Sequence, residues 1–374
     1  MPEWTSFEGL NTCLGAPAKP FDLPAHYNRK SMRSMGRVAL MATRASELAL
    51  ADAGLSDHPI VRSGAMGISY GSSAGTPAAI GDFGRMMAEK TTEGINANTY
   101  IKMMSHTAAV NMGVFLGLTG RIITTSSACA SGSQGIGYAF ETIQAGKQVA
   151  MLAGGAEELD ATEAAVFDTL FATSVKNDAP ALTPRPFDAA RDGLVLGEGA
   201  CTLVLEELEH AQARDARILA EVIGFGTNSD GSHVTQPNPA TMSAAMQLAL
   251  TSAHVSAAEV GYVNAHGTAT DQGDVAESLA TLEALGANVP ISSLKSYMGH
   301  TLGACGALEA WMTIEMMREG WFAPTLNLQT PDPRCAALAY IMGDGLALQT
   351  DVVMSNNFAF GGINTSLIFR RWKA

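Results

Sequence analysis

Short, apolar segments rich in β-branched residues alternate along this chain with longer segments of helical periodicity. AMGISYG, RIITTS and QVAMLAGG have the length and composition of buried strands, while RVALMATRASELALADAGL and TLGACGALEAWMTIEMM repeat apolar residues at helical spacing. The same alternation continues in the second half, where GDVAESLATLEALG places Val275, Leu279, Leu282 and Leu285 on one helical face. Strands that alternate with helices predict an α/β fold with parallel or mixed sheets covered on both faces.

The composition excludes several classes of protein. The chain has 374 residues and a formal net charge of -13, which argues against nucleic acid as the main partner. Its five cysteines form no CxxC pair, so we predict neither a disulfide framework nor a metal site, and a reducing compartment is favoured. The first residues lack the pattern of a secretory signal, and no apolar run is long enough to cross a membrane. We therefore expect a cytoplasmic protein without a membrane segment.

The segment TSSACASGSQGIG surrounds Cys129 with small residues, between a predicted strand and a predicted helix. A position near a helix N-terminus favours thiolate over thiol, because free N–H groups and the helix dipole stabilise negative charge. Small neighbours would let a long substrate reach the sulfur, and the N–H of Cys129 could face an oxyanion. The same small residues would also let the helix pack closely on a sheet. The segment alone leaves both interpretations open.

Two histidines occupy similar junctions in the second half of the chain. His266 follows a predicted strand in VNAHGTAT, and His300 precedes a predicted helix in LKSYMGHTLGACGALE, with Lys295 and Glu309 on either side. One histidine in such a loop is more often structural, but two histidines and a cysteine at three junctions form a pattern typical of a catalytic site. SNNFAFGGIN adds a glycine loop that brings a backbone N–H near a substrate carbonyl, or that only makes a turn between core phenylalanines.

Several of these segments occur in the order in which one enzyme family has them. SSACASG, RPFDAARDGLVLGEGA, NAHGTATDQGD, KSYMGHTLGACGALE and SNNFAFGGIN resemble the β-ketoacyl-acyl carrier protein synthases, condensing enzymes of the thiolase superfamily. The resemblance covers nearly the whole chain from Arg29 onward. It implies a thiolase-like α/β fold, in which two similar βα halves form a layered α-β-α-β-α core. The expected halves are residues 1–214, with the cysteine, and residues 215–374, with both histidines.

The resemblance also implies a catalytic role for five residues. Cys129 takes up the acyl chain as a thioester, and His266 and His300 serve malonyl decarboxylation and stabilise the resulting enolate. Lys295 organises the site around His300 through hydrogen bonding and charge, with Glu309 behind it. Two histidines match the elongating synthases, whereas a His/Asn pair marks the branch that primes from coenzyme A esters. The implied reaction converts acyl-carrier protein and malonyl-carrier protein into 3-oxoacyl-carrier protein, carbon dioxide and free carrier.

The same resemblance assigns further residues to substrate binding. Phe360 would be the gate residue, and its N–H would form the oxyanion hole with that of the cysteine. Thr268 and Thr270 match positions that hydrogen-bond the phosphopantetheine arm, while Phe358 and Phe167 are candidates for the substrate pocket. Because the arm arrives on the carrier protein, we expect no metal and no other cofactor.

The acyl carrier protein is the implied partner, and a positive patch is needed to dock it on an otherwise acidic enzyme. Lys30 and Arg33 in NRKSMRSMGR match the family's docking residues near the tunnel mouth, although a solvated basic helix end is the alternative. The family further implies a homodimer, or a dimer with a related ketosynthase-like subunit. Fatty acid synthesis and aryl polyene or polyketide-type elongation both remain open as the pathway.

Two other functions compete with this one. A non-catalytic, chain-length-determining subunit of a ketosynthase heterodimer generally lacks the nucleophilic cysteine, so the presence of Cys129, His266 and His300 argues against it. A cysteine hydrolase would leave the segment from Lys295 to Glu309 unexplained.

The N-terminus departs from the family's pattern. The family opens with a strand, a turn and a helix that this sequence does not contain, and we expect the true start to lie upstream of Met1. We further expect the absent strand to be central in the first sheet, so that its loss exposes neighbouring strands and apolar surface.

Overall fold

The computed structural model describes residues 1–373, which form twelve α-helices, fourteen strands and five short 3-10 helices. The helices are Arg29–Met32 (α1), Arg37–Asp52 (α2), Pro77–Glu89 (α3), Ala97–Met103 (α4), Thr107–Leu116 (α5), Ser131–Gln144 (α6), Ala161–Asp168 (α7), Leu208–Ala213 (α8), Pro239–Ala253 (α9), Asp271–Leu285 (α10), Lys295–Met298 (α11) and Cys305–Glu319 (α12). The strands are Gly15–Ala16 (β1), Met66–Gly71 (β2), Ile122–Thr125 (β3), Ala150–Glu157 (β4), Leu196–Gly197 (β5), Gly199–Glu206 (β6), Ala220–Ser229 (β7), Tyr262–Asn264 (β8), Pro290–Ser292 (β9), Trp321–Phe322 (β10), Ala339–Tyr340 (β11), Leu346–Ala347 (β12), Val352–Ala359 (β13) and Ile363–Arg371 (β14). In this range, no helix combines the length and the hydropathy needed to span a bilayer.

The first half of the chain builds a four-stranded sheet in the order β3-β2-β4-β6. β2, β3 and β4 run parallel, and β6 runs antiparallel to β4. Every residue of β2 and β4 is buried, because helices cover both faces of the sheet. This burial explains why the two strands consist mainly of apolar or small residues rather than of alternating apolar and polar ones.

The second half repeats this topology. Its sheet has the order β11-β9-β8-β13-β14-β7, in which β8, β9 and β13 run parallel and β14 runs antiparallel to β13. The four strands β9-β8-β13-β14 therefore match β3-β2-β4-β6 in order and direction. The two halves are related in structure although their sequences show no repeat. The predicted boundary after residue 214 lies between α8 and β7, and it stays a prediction.

Helices and sheets stack in five layers. α6 and α12 pack against each other and touch strands of both sheets, so they form the central layer. α2 and α5 cover the outer face of the first sheet, while α9 covers β7 and β14 on the outer face of the second and packs on α10. Three large apolar clusters fill the spaces between these layers. This arrangement is the α-β-α-β-α order expected from the sequence.

The expectation of a gap in the centre of the first sheet is wrong. β2 and β4 pair directly along six residues, and β4 pairs with β6 along eight. In the second sheet the additional strand β7 lies beside β14, at the edge. The corresponding position in the first sheet is the outer edge of β6. A strand there would have only one neighbour, so the central strands do not depend on it.

α10 buries only part of the apolar face noted in the sequence, because Val275 and Leu285 pack against the core but the two leucines between them do not. Leu279 and Leu282 are 43% and 40% exposed, whereas Asp274 and Glu277 are buried. The inward face carries carboxylates because they accept backbone N–H groups of the loop that follows β8. Helical periodicity thus identified the helix but not the side that faces the core.

Candidate active site

Cys129 lies on the loop between β3 and α6, two residues before the helix begins. Its side chain is buried, and the preceding Ala128 has a left-handed backbone with φ of 46°. Such a conformation costs about 1–3 kcal/mol in a residue other than glycine, so the surrounding structure must hold it in place. Ser131 does so: its Oγ accepts the N–H of Ser127 at 2.9 Å and donates to the carbonyl of Ala128 at 2.7 Å.

The small residues after Cys129 serve close packing as well as access. A Cβ at Gly132 would lie 2.9 Å from the carbonyl oxygen of Gly303, and one at Gly135 would lie 2.6 Å from that of Gly154. Contacts that short are not found between real side chains and backbone, so α6 needs glycine at both positions. The packing interpretation of this segment is therefore correct for its glycines, and it does not compete with a reactive cysteine.

His266 and His300 reach the same cavity as Cys129. His266 lies just after β8, and His300 lies between α11 and the short helix that leads into α12. The Nε2 of His300 is 3.0 Å from the Sγ of Cys129, and the two imidazole rings are 5.1 Å apart and nearly perpendicular. The sulfur and one nitrogen from each ring all lie within 4.8 Å of one another. The structure thus brings the three predicted residues together in one site.

Two buried carboxylates that the sequence analysis missed hold the loops around these residues. Glu277 of α10 accepts the N–H groups of His266 and Gly267, both at 2.7 Å. Glu157, at the end of β4, accepts the N–H of Gly303 at 3.0 Å and that of Ser73 at 2.7 Å. Their signal in the sequence is weak, because an acidic residue in a helix or at the end of a strand is usually exposed.

Lys295 contacts His266 rather than His300, which corrects the predicted hydrogen bond. Its Nζ lies 3.1 Å from the Nδ1 of His266 and forms a buried ion pair with Glu309. This follows from the topology, since β8 and β9 are neighbours and lead into His266 and Lys295 respectively. An ammonium group can only donate, so the Nδ1 of His266 accepts and the proton of its neutral ring is on Nε2. Only the charge of Lys295 reaches His300.

Asn357 completes this group, and the sequence analysis did not single it out. Its Nδ2 donates to the Oε2 of Glu309 at 2.7 Å and lies 3.4 Å from the Nδ1 of His266. The available signal was the run Ser355, Asn356 and Asn357 in a strand that is otherwise apolar, because consecutive polar residues in a buried strand need partners. Glu309 touches Lys295 and Asn357, and so acts on the site through them.

Burial keeps the Cys129 thiol and both imidazoles neutral in the resting site. It raises the pKa of the Cys129 thiol to about 12, although the charge of Lys295 and nearby backbone N–H groups lower it in part. Burial also holds the pKa of His266 and that of His300 well below the ordinary value, and the Lys295 charge adds to both effects. For Lys295 itself, burial opposes the charge, but neighbouring acidic groups such as Glu309 give a raised pKa. The expected resting thiolate is therefore wrong, because desolvation outweighs the helix N-terminus.

Two backbone N–H groups are directed at the sulfur, those of Phe360 and of Cys129 itself. Phe360 directly follows β13, and Gly361 and Gly362 come next with φ of 85° and 70°. Two successive left-handed residues reverse the chain between β13 and β14, and glycine adopts that conformation without strain. The pair of N–H groups has the arrangement expected of an oxyanion hole.

A cavity of about 320 Å³ opens onto the sulfur. Every predicted substrate-binding residue lines it, namely Thr268, Thr270, Phe358, Phe167 and also Phe360. The hydroxyls of the two threonines are 2.9 Å apart, and the rings of Phe167 and Phe360 are 5.0 Å apart beside the cysteine. The wall thus combines hydroxyl groups with aromatic rings, which suits an amide-bearing arm that carries an acyl chain.

The predicted docking residues lie outside this cavity. Lys30 and Arg33 are exposed on and just after α1, which Asn28 caps through its side chain. Arg33 lines a separate depression of about 260 Å³ together with Lys102. Neither residue is among those that line the cavity at Cys129. Their role in docking stays a prediction.

Comparison with known proteins matches both halves of the chain to the same enzyme family. The model described as "Beta-ketoacyl synthase, N-terminal domain" matches residues 7–211, and the one described as "Beta-ketoacyl synthase, C-terminal domain" matches residues 219–329. A 3-oxoacyl-[acyl-carrier-protein] synthase 2 from Synechocystis sp. is 37% identical over 366 residues, which cover 96% of this chain and 88% of the relative.

Similar solved structures come from the same family. A β-ketoacyl synthase from Burkholderia phymatum STM815 is 62% identical with a TM-score of 0.98, and the match covers 100% of this chain and 91% of that one. The ishigamide ketosynthase/chain length factor is 29% identical with a TM-score of 0.89, over 98% of this chain and 90% of the other. The chain belongs to the β-ketoacyl synthase family, and its fold is the thiolase-like α/β fold expected from the sequence.

Proposed function

We propose that this chain is an elongating 3-oxoacyl-[acyl-carrier-protein] synthase. The observation that carries the proposal is the contact between the Nε2 of His300 and the Sγ of Cys129, with the second imidazole beside it. A chain-length-determining subunit needs no such contact, because it does no chemistry. The names of the relatives, which are 3-oxoacyl-[acyl-carrier-protein] synthases, support the same reaction.

In the first half-reaction, the acyl chain moves from its carrier to Cys129. The Cys129 thiol gives its proton to His300 as the sulfur attacks the thioester carbonyl, since a thiol with so high a pKa needs a base in contact. The N–H groups of Cys129 and Phe360 bind the oxyanion, and the carrier thiolate leaves and takes up the proton. The products are the acyl-Cys129 thioester and the free carrier thiol.

In the second half-reaction, malonyl-carrier protein loses carbon dioxide and its enolate attacks the acyl thioester. The Nε2–H of His266 is available to the enolate oxygen, because Lys295 holds the other nitrogen as an acceptor. The His300 ring lies 5.1 Å from that of His266 and lines the same cavity. As the new carbon–carbon bond forms, the bond between the acyl carbonyl carbon and the Sγ of Cys129 breaks, the released thiolate takes up one proton from water, and 3-oxoacyl-carrier protein leaves.

Mass spectrometry of the intact protein tests the proposal. Incubation with an acyl-carrier protein should add one acyl mass, and Cys129→Ala should abolish the adduct while Cys201→Ala, in the distant β6, should keep it. Subsequent malonyl-carrier protein should discharge the adduct and release carbon dioxide. A folded wild-type protein that forms no adduct on Cys129 would refute the enzymatic function.

We also propose that the partners are an acyl carrier protein, which docks at Lys30 and Arg33, and a second subunit, either a copy of this chain or a related one. The dimer is supported by β3, whose outer edge pairs with no other strand among residues 1–373, and by the exposed side chains of Ile122 and Val114 near it. One solved relative is itself a ketosynthase/chain length factor. Light scattering of the purified protein distinguishes a monomer from a dimer.

The reaction as proposed uses no metal and no cofactor of the enzyme, and the cytoplasm is the proposed compartment. Cys129, His266 and His300 are close enough to bind one cation, but the Lys295 ammonium at 3.1 Å from His266 repels it. Treatment with a chelator should therefore leave the condensation rate unchanged. All five cysteines are free thiols, which suits a reducing compartment.

A further inference from the structure

Glu163 is a buried acid without a partner. It is 8% exposed, and among residues 1–373 no group makes a hydrogen bond to either of its carboxyl oxygens. The backbone N–H of Asp160 faces the carboxyl but does not meet hydrogen-bond geometry. Native proteins rarely leave a buried polar group unsatisfied, and an exception calls for an explanation such as a missing ligand.

Its surroundings keep this carboxyl neutral. Burial raises the pKa of Glu163 to about 10, and the negative charges of Glu157, Asp160 and Glu158 add to the effect. A protonated carboxyl has one O–H donor and retains acceptor oxygens. It can therefore bind an uncharged hydroxyl in both directions, whereas it gains little from a methyl group.

Glu163 lies on the same helix face as Phe167, which lines the cavity at Cys129. It precedes Phe167 by four residues on α7, so the two side chains lie on one face of the helix, one turn apart. Phe167 lines the cavity and stacks on Phe360 beside Cys129. Ala161 and Ala164 of the same helix belong to the apolar cluster that contains Cys129, and small residues there leave α7 close to the sulfur.

We propose that Glu163 is a specificity-determining residue that recognises a hydroxyl group at the far end of the acyl chain on Cys129. This deepens the proposed function and rests on it. Glu163 lies beyond the residues that line the cavity, so this role requires an acyl chain that passes Phe167 from the cysteine and continues along the face of α7 on which Glu163 lies. The hydroxyl then supplies the partner that the carboxyl lacks, and a chain with an apolar end leaves it unsatisfied.

Matched pairs of acyl groups on the carrier protein test this proposal. Each pair exchanges a terminal hydroxyl for a methyl group: 8-hydroxyoctanoyl against nonanoyl, and 4-hydroxycinnamoyl against 4-methylcinnamoyl. The measured quantity is the kcat/KM for formation of the acyl-Cys129 adduct. The wild type should favour the hydroxyl in at least one pair by tenfold or more, because a buried polar group rejects a substrate that leaves it unpaired.

Variants identify the residue responsible. Glu163→Leu should lower the preference to less than twofold, while Glu163→Gln, which can still donate and accept, should keep most of it. Val166→Leu, on the exposed side of α7, is the matched control and should leave the ratio unchanged. If Glu163→Leu does not fold, the hydroxyl-to-methyl ratios of kcat/KM for the wild type and for Glu163→Gln still test the proposal.

The outcomes separate this proposal from the proposed function. A wild type that acylates Cys129 with both members of each pair at equal rates, or faster with the methyl compounds, overturns the role of Glu163 and leaves the synthase intact. Retention of the hydroxyl preference in a folded Glu163→Leu also overturns it. A protein that accepts none of the four groups on Cys129 contradicts the synthase and the specificity together.

Discussion

Glu163→Gln should make the protein more stable, and by an amount that grows with pH. In the native state burial and neighbouring charges raise the pKa of Glu163 to about 10, whereas in the unfolded chain a glutamate ionises near its ordinary value. Below that ordinary value both states are protonated and the group has no effect. As the pH rises above it, only the unfolded state releases the proton, and native stability is lost relative to a glutamine that does not titrate.

The size of the effect follows from linkage. Between the unfolded and folded pKa values, each pH unit lowers the free energy of unfolding of the wild type by about 1.4 kcal/mol, since one proton is involved. Between about pH 6 and pH 8 the advantage of Glu163→Gln in the free energy of unfolding should therefore grow by about 2.7 kcal/mol. Glu157 and Glu158 titrate in both proteins, so the difference between variant and wild type reports mainly on residue 163.

Urea unfolding of both proteins at one protein concentration, at several pH values in this range, measures the difference. Glu93→Gln is the control, because Glu93 is exposed on the loop after α3 and its substitution should give a pH-independent difference. A difference for Glu163→Gln that stays constant with pH would mean that the buried carboxyl is ionised in the native state. An ionised Glu163 could not donate to a hydroxyl on the acyl chain, which would refute its proposed role.

Three further predictions concern the catalytic group and the carrier. Lys295→Met should lower the free energy of unfolding by about 3–5 kcal/mol because it leaves Glu309 unpaired in the interior, and Lys295→Met/Glu309→Gln should recover most of the loss in the same urea assay. The single variant should also move the acid limb of the decarboxylation pH profile upward, since the Lys295 charge no longer depresses the pKa of His266; an unshifted limb would contradict this role. His300→Ala should slow acylation of Cys129 by about 10²–10⁴-fold in rapid-quench mass spectrometry, and acylation at the wild-type rate would exclude His300 as the proton acceptor. Lys30→Glu/Arg33→Glu should raise KM for acyl-carrier protein at least tenfold and leave KM for an acyl-pantetheine unchanged, whereas an equal rise for both substrates would point to damage of the cavity instead.

The architecture was predictable because periodicity and burial agree along most of the chain. Segments such as AMGISYG and RIITTS became β2 and β3, and the three junctions that carry Cys129, His266 and His300 were located correctly. Parallel strands bring their carboxyl ends to one edge of a sheet, which places the loops after β8 and β9, with His266 and His300, side by side. Cys129 follows β3 of the other sheet, and the packing of α6 on α12 brings it to them. The repeated topology of the halves was not visible in the letters, since it depends on strand order and not on residue identity.

The electrostatics of the site could not be predicted in the same way. A position before a helix suggested a thiolate at Cys129, but the degree of burial that reverses this preference is a property of the whole fold. The partner of Lys295 was assigned to the wrong histidine, because adjacency of β8 and β9 is a matter of sheet order. Asn357 and Glu277 were missed since each acts through a neighbour and neither lies in a loop with a reactive residue type.

One buried cation accounts for several properties of this site. Burial holds the pKa of both histidines well below the ordinary value and the Lys295 charge lowers it further, so both imidazoles are neutral at physiological pH. The contact with Lys295 also leaves the proton of His266 on Nε2. Neutral imidazoles can accept the thiol proton and donate to an enolate, whereas an imidazolium cannot accept a proton and two such rings 5.1 Å apart would repel each other. Glu309 and Asn357 keep the ammonium in place without touching the sulfur. The reactivity of Cys129 then depends on contact with His300 once the acyl thioester has bound, and not on a standing negative charge.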